Sequence, residues 1–167
     1  IYPIFAILLL ILTSVCSGYK PIFQTTNLDF EIIDHTLRGE KILANKIYSK
    51  LYNHSNSKKN TQNTRNINIL IDVTKDKKPT IKNSSGKILE YKITLNAKIE
   101  VYDFLTNDQI LNQNFTSSFN YKIQDTHSDT LILENQSMES LLNNTYHNLL
   151  IELTQNIVAK WSKKAMK

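Results

Sequence analysis

Two sets of residues in this sequence have types and spacing that invite a chemical reading. The first is Cys16, the one cysteine of the chain, which follows an apolar run at 4–12 and the residues Leu12-Thr13-Ser14-Val15. A run of this length is short for a membrane span, which needs roughly 20 apolar residues, and matches the h-region of a signal peptide. A cysteine placed directly after such a region is an acceptor for diacylglycerol on its sulfur. Two or three acyl chains then anchor the mature N-terminus firmly, where one chain alone is marginal. Leu12 lies one place farther upstream than the common lipoprotein pattern has it, and Val15 stands where a Gly or Ala is usual. The second set is the histidines 35, 54, 127 and 147. They are scattered. His127 has Asp125 and Asp129 beside it, but on a polar stretch with no nucleophile near, and His54 lies in a polar stretch without partners at ligand spacing.

The chemistry ends there. A nucleophile elbow, a phosphate-binding glycine loop, an HExxH pair and a dinucleotide fingerprint are all missing from the sequence. A single cysteine excludes internal disulfides and thiolate metal clusters. The expectation is a binding, scaffold or carrier protein, with no catalytic residues, no metal and no cofactor. The formal net charge of +5 favours anionic partners, among which charge alone does not choose. Hydrophobic residues make up 41% and charged residues 21%, a globular balance rather than a disordered one.

The elements that must carry these residues follow from periodicity. Residues 1–15 read as a signal peptide of lipoprotein type whose start is incomplete, because Ile1 is not Met and no basic segment precedes the run. Residues 16–26 read as anchor and tether, and 27–167 as one domain. A first strand at 27–34 places Leu28, Phe30 and Ile32 on one side. The period then changes: Leu43, Ile47 and Leu51 predict an amphipathic helix over 36–53, with Asp34 or Thr36 as its cap. Residues 53–66 are polar and predict a loop. A second strand at 67–74 ends in Lys75-Asp76-Lys77-Lys78-Pro79, and 83–86 is a turn signal. The alternation over 88–104, from Leu89 to Val101, predicts a long strand with one buried and one wet face. A hairpin at 106–109 and a return strand over 110–123 follow. Residues 124–130 read as polar loop. Met138, Leu142, Leu149, Leu153, Ile157 and Trp161 then mark a helix over about 131–163, with Lys160, Lys163, Lys164 and Lys167 at its end. The predicted fold is α+β: a single, mostly antiparallel four-stranded sheet with two helices on one face, in the order β-α-β-β-β-α.

The segment Cys16-Ser17-Gly18-Tyr19-Lys20-Pro21-Ile22-Phe23 resembles the mature start of the LptE family, lipopolysaccharide-assembly lipoproteins of the outer membrane. Many of these begin Cys-Gly-(Phe/Tyr)-(Arg/Lys)-Pro-(Leu/Ile)-Tyr; here Ser17 is inserted and Phe23 replaces the last Tyr. The order of elements resembles that family over essentially the whole chain. The resemblance implies a non-enzymatic protein, lipidated at Cys16 and anchored at the periplasmic face of the outer membrane. It implies a partner, an LptD-like β-barrel that the protein plugs and helps assemble, and a ligand, lipopolysaccharide, with no nucleic acid. It also implies glycolipid binding through basic residues, which maps loosely onto Lys75, Lys77, Lys78, Lys82 and Lys87 at the loop joining the second and third strands. The competing expectation is a general envelope lipoprotein that binds another periplasmic partner.

Overall fold

The computed structural model describes residues 29–57 and 64–165. The expected leader at 1–15, Cys16 with its tether at 16–26, and Leu28 lie outside the described residues, as do Lys167 and the side chains of Trp161, Lys163 and Lys164. Six elements follow one another: β1 (Asp29–Gly39), α1 (Lys41–Asn56), β2 (Thr64–Lys82), β3 (Ile88–Asp103), β4 (Gln109–Lys122) and α2 (His127–Ala165). The sheet order is β1-β2-β3-β4. β1 runs parallel to β2, a pairing that needs a crossover connection such as α1, and the other pairs are antiparallel hairpins. The predicted α+β architecture and element order are those observed.

Both helices cover one face of this sheet. α1 buries Ala44, Ile47 and Leu51, chiefly over β1, and α2 buries Met138, Leu142, Leu149, Leu153 and Ile157, chiefly over β4. Beneath them lie Ile67, Ile69, Ile71 and Val73 of β2 and Ile93, Leu95, Ala97, Ile99 and Val101 of β3. Both strand sets keep the period of two that their sequences carry. A Lys46–Glu139 ion pair joins the two helices. The opposite sheet face is polar, so each strand presents one apolar and one wet side.

The elements depart from expectation at several points, beginning with β1. β1 continues to Gly39, so neither Asp34 nor Thr36 caps α1. Both lie inside the strand, where pairing with Asn68 to Val73 of β2 outweighs local capping preference. Glu40 takes the cap position without a side-chain cap; its N–H donates to the Val73 carbonyl at 2.8 Å. Within β1, the register shifts between Ile32 and Asp34. This inserts Ile33 and moves the inward phase from Phe30 and Ile32 to His35 and Leu37. Finally, α2 begins at His127, four residues ahead of the expected start near 131. The Thr126 hydroxyl accepts the Asp129 N–H at 3.1 Å and donates to the Asp129 carboxylate at 2.7 Å, a reciprocal cap that starts the helix in the polar segment.

Candidate functional site

The long β2–β3 hairpin extends past the helix-covered part of the sheet and carries the lysines singled out above. They do not sit in a loop. β2 runs unbroken through Lys75, Lys77, Lys78 and Lys82, and only 83–87 forms the turn. The turn is built by Asn83, whose Oδ1 accepts the N–H of Ser85 at 3.1 Å and of Lys87 at 2.8 Å; Gly86 supplies the left-handed position at φ 82°.

Strand alternation divides the five lysines. Lys75 and Lys77 continue the inward phase of Val73 and meet α2, where both pair with Glu134. Lys77 Nζ lies 2.6 Å from Glu134 Oε2, and Lys75 Nζ lies 3.2 Å from Oε1. Tyr121 of β4 donates its hydroxyl to the same carboxylate at 2.8 Å. Lys77 also stands 4.5 Å above the Tyr91 ring and 5.6 Å from that of Tyr121. Burial alone would raise the Glu134 carboxyl, whose side chain is 14% exposed, but hydrogen bonds from Lys77, Tyr121 and Lys75 outweigh it and hold it at about 2. Burial likewise would lower Lys77, and the same hydrogen bonds raise it instead.

The other three lysines face outward or flank the turn. Lys78 pairs with Asp76 at 2.6 Å and lies across from Lys92 of β3. Lys82 and Lys87 bracket the turn, and among the described residues neither ammonium has an ionic partner; the same holds for Lys92. The arm therefore presents free cations at its tip and outer face, and a satisfied cluster on its inner face.

Glu134, Tyr121 and Lys92 were not among the expected site residues. Glu134 had a legible signal: it lies four residues before Met138, so a carboxylate occupies the stripe that faces the sheet. Tyr121 shares the inward phase of its strand with Phe115, but nothing local to it points to Glu134.

Elsewhere, the histidines do not assemble. His54 lies in the last turn of α1, not in a loop, with its ring 6.4 Å from that of Phe30. His35 stacks on Tyr48 at 4.0 Å. His54 and His147 share an open hollow between the helices with Lys50, Asn53, Asn143 and Tyr146. Asp129 is engaged in the helix cap, accepting the Thr126 hydroxyl at 2.7 Å. Among the described residues no three His, Cys, Asp or Glu gather as a metal ion would require, and no helix is long and apolar enough to cross a membrane.

No protein-family model matches the sequence, and no curated protein matches it either. Solved structures do match in fold. Lipoprotein B of Nitrosomonas europaea superposes with a TM-score of 0.56 at 17% identity, covering 80% of this chain and 88% of that one. A minor lipoprotein of Acinetobacter baumannii gives 0.54 at 12% identity, over 77% and 94%. A lipoprotein of Caulobacter crescentus gives 0.52 at 10% identity, over 78% and 91%. The α+β fold of this chain is thus one that several bacterial lipoproteins share.

Proposed function

We propose that this chain is a lipid-anchored envelope lipoprotein that works by binding rather than by catalysis. Its finer role in this proposal is that of an LptE-like partner: it plugs and helps assemble an LptD-like outer-membrane β-barrel and assists lipopolysaccharide on its way to the outer leaflet. The observation that carries the finer reading is the segment from Cys16 through Tyr19-Lys20-Pro21-Ile22, set ahead of a domain of β-α-β-β-β-α order. The basic arm adds support, because ammonium groups at Lys78, Lys82, Lys87 and Lys92 suit the phosphates of a glycolipid.

The broader reading keeps the anchor and changes the partner: a general envelope lipoprotein that scaffolds another periplasmic component. It is supported by the fold likeness to the three bacterial lipoproteins above. Affinity purification of the chain from outer membranes separates the two. Stable recovery with a large β-barrel supports the plug. Recovery as a free monomer, with the barrel undisturbed after depletion, leaves only the broader reading. Labelling with a palmitate analogue tests the anchor, and persistence of label after Cys16→Ala would refute attachment there.

A further inference from the structure

Glu134 sits where a ligand anion would sit. Two ammonium groups and one phenol hydroxyl converge on its carboxylate, at 2.6, 3.2 and 2.8 Å. Three donors from three directions, two of them cationic, form the kind of set that binds a phosphate monoester or a carboxylate. The donors belong to the sheet: Lys75 and Lys77 to β2, Tyr121 to β4. Stacking of Lys77 over Tyr91, and of Tyr91 on Tyr121 at 5.9 Å, holds the donors together from the strand side alone. The acceptor comes from a different element, and that element is loosely held at this point. Before Ser137, α2 has no fully buried side chain, and Leu131 and Ile132 in its second turn are about half exposed, at 46% and 51%. Over the first two turns of α2, apolar contact with the core comes from the partly buried Leu133, and the charge cluster at Glu134 supplies the polar fastening to the sheet.

We infer that Lys75, Lys77 and Tyr121 are an anion-receiving site that Glu134 fills from within, and that a phosphate-bearing ligand gains this site by exchanging with Glu134 and releasing the start of α2. This rests on the reading of the basic arm as a surface for an anionic ligand, and adds to it an internal competitor. Replacing one anion by another leaves the lysines paired throughout, so the exchange avoids the cost of a bare, partly buried ammonium. The free lysines at the arm's tip meet the ligand first, and the Glu134 site takes it second.

The test uses the folded chain and three probes: glucose 1,6-bisphosphate, zwitterionic vesicles doped with lipopolysaccharide, and zwitterionic vesicles doped with phosphatidylglycerol. With Glu134 in place for about nine-tenths of the time or more, Glu134→Gln raises apparent affinity by about tenfold or more, and the gain disappears in the triple variant Glu134→Gln, Lys75→Gln, Lys77→Gln. In the unsubstituted protein, saturating ligand accelerates amide hydrogen exchange across 127–136. Unchanged affinity in Glu134→Gln with a native circular dichroism spectrum overturns the exchange, as does protection of 127–136 on binding; Glu134 is then a fixed cross-link. Binding of lipopolysaccharide with no gain in Glu134→Gln defeats the exchange and leaves the proposed function standing. A gain for the bisphosphate or phosphatidylglycerol alone supports the exchange and removes lipopolysaccharide as its source.

Discussion

At the scale of single residues, two carboxylates organise opposite ends of the domain. Glu134 ties α2 to the basic arm. Its folded-state value of about 2 lies below its ordinary 4.5, so its contribution to stability is present above pH 4.5 and fades as pH falls toward 2. After allowance for partial exposure of its lysine partners, that contribution is about 2 kcal/mol. Urea midpoints measured from pH 6 down should therefore fall more steeply for the unsubstituted chain than for Glu134→Gln; parallel curves would refute the assignment. Asp103 closes the other end. Its Oδ1 accepts the N–H groups of Leu105 and Thr106 at 3.0 and 2.9 Å, and its Oδ2 meets the Arg65 guanidinium at 2.5 to 2.6 Å. Burial would push this carboxyl up; the Thr106 N–H and Arg65 outweigh it and hold it below its usual range. With side-chain exposures of 15% for Arg65 and 9% for Asp103, removal of one partner strands a buried charge. Asp103→Ala should cost about 3 kcal/mol in denaturant unfolding, and a cost within error of zero would show the pair to be solvated.

At the scale of elements, the junctions decide more than the interiors. Gly39 ends β1 at φ 66°, and a Cβ there would stand 2.1 Å from the Val73 carbonyl oxygen. Backbone cannot yield as a side chain tip does, so Gly39→Ala should cost about 3 kcal/mol or more and disturb entry into α1. Gly86 also has positive φ, at 82°, but a Cβ there meets nothing within 4 Å. Gly86→Ala should cost only about 1 kcal/mol. Equal thermal shifts for the two variants would sink this distinction. The strand and helix interiors were legible because their apolar residues repeat at two and at about three and a half to four. The ends of β1, β2 and α2 were not. A parallel neighbour extends β1 through Thr36, an antiparallel one carries β2 through six charged or polar residues after Thr74, and a threonine cap starts α2 ahead of its apolar stripe.

At the scale of the whole molecule, the strand directions set the two ends apart. β1 begins beside the start of β2, and the β3–β4 turn packs there too, with the Phe104 N–H donating to the Asn66 carbonyl at 3.0 Å. β2 then runs 19 residues, about 60 Å at roughly 3.3 Å each, to the basic turn. The described chain thus starts, at Asp29, at the end of the sheet opposite Lys82 and Lys87. If the proposed anchor at Cys16 holds this end to the bilayer, spin labels at Leu105→Cys, in the exposed β3–β4 turn, and at Ser85→Cys, at the arm's tip, distinguish the two ends on membrane-bound protein. A lipid-soluble relaxation agent should affect the first and spare the second; equal effects would place both ends against the bilayer.

What the sequence determined by itself was whatever rests on local periodicity and on residue type. The six elements, their order, the α+β class and the buried faces of β2, β3 and α2 all follow from patterns within one element. So does the basic character of the segment from Lys75 to Lys87. Only the tertiary structure decided what those lysines do. Whether a lysine on a strand is free or spent depends on which face it takes and on what lies above that face. Lys75 and Lys77 are spent because α2, more than 50 residues later in the chain, brings Glu134 down onto them. Lys82 and Lys87 remain available among the described residues because no helix reaches the tip, and Lys92 because it lies on the sheet face that the helices leave open. A contact between distant segments leaves no periodic trace in either, beyond one carboxylate standing on an apolar stripe.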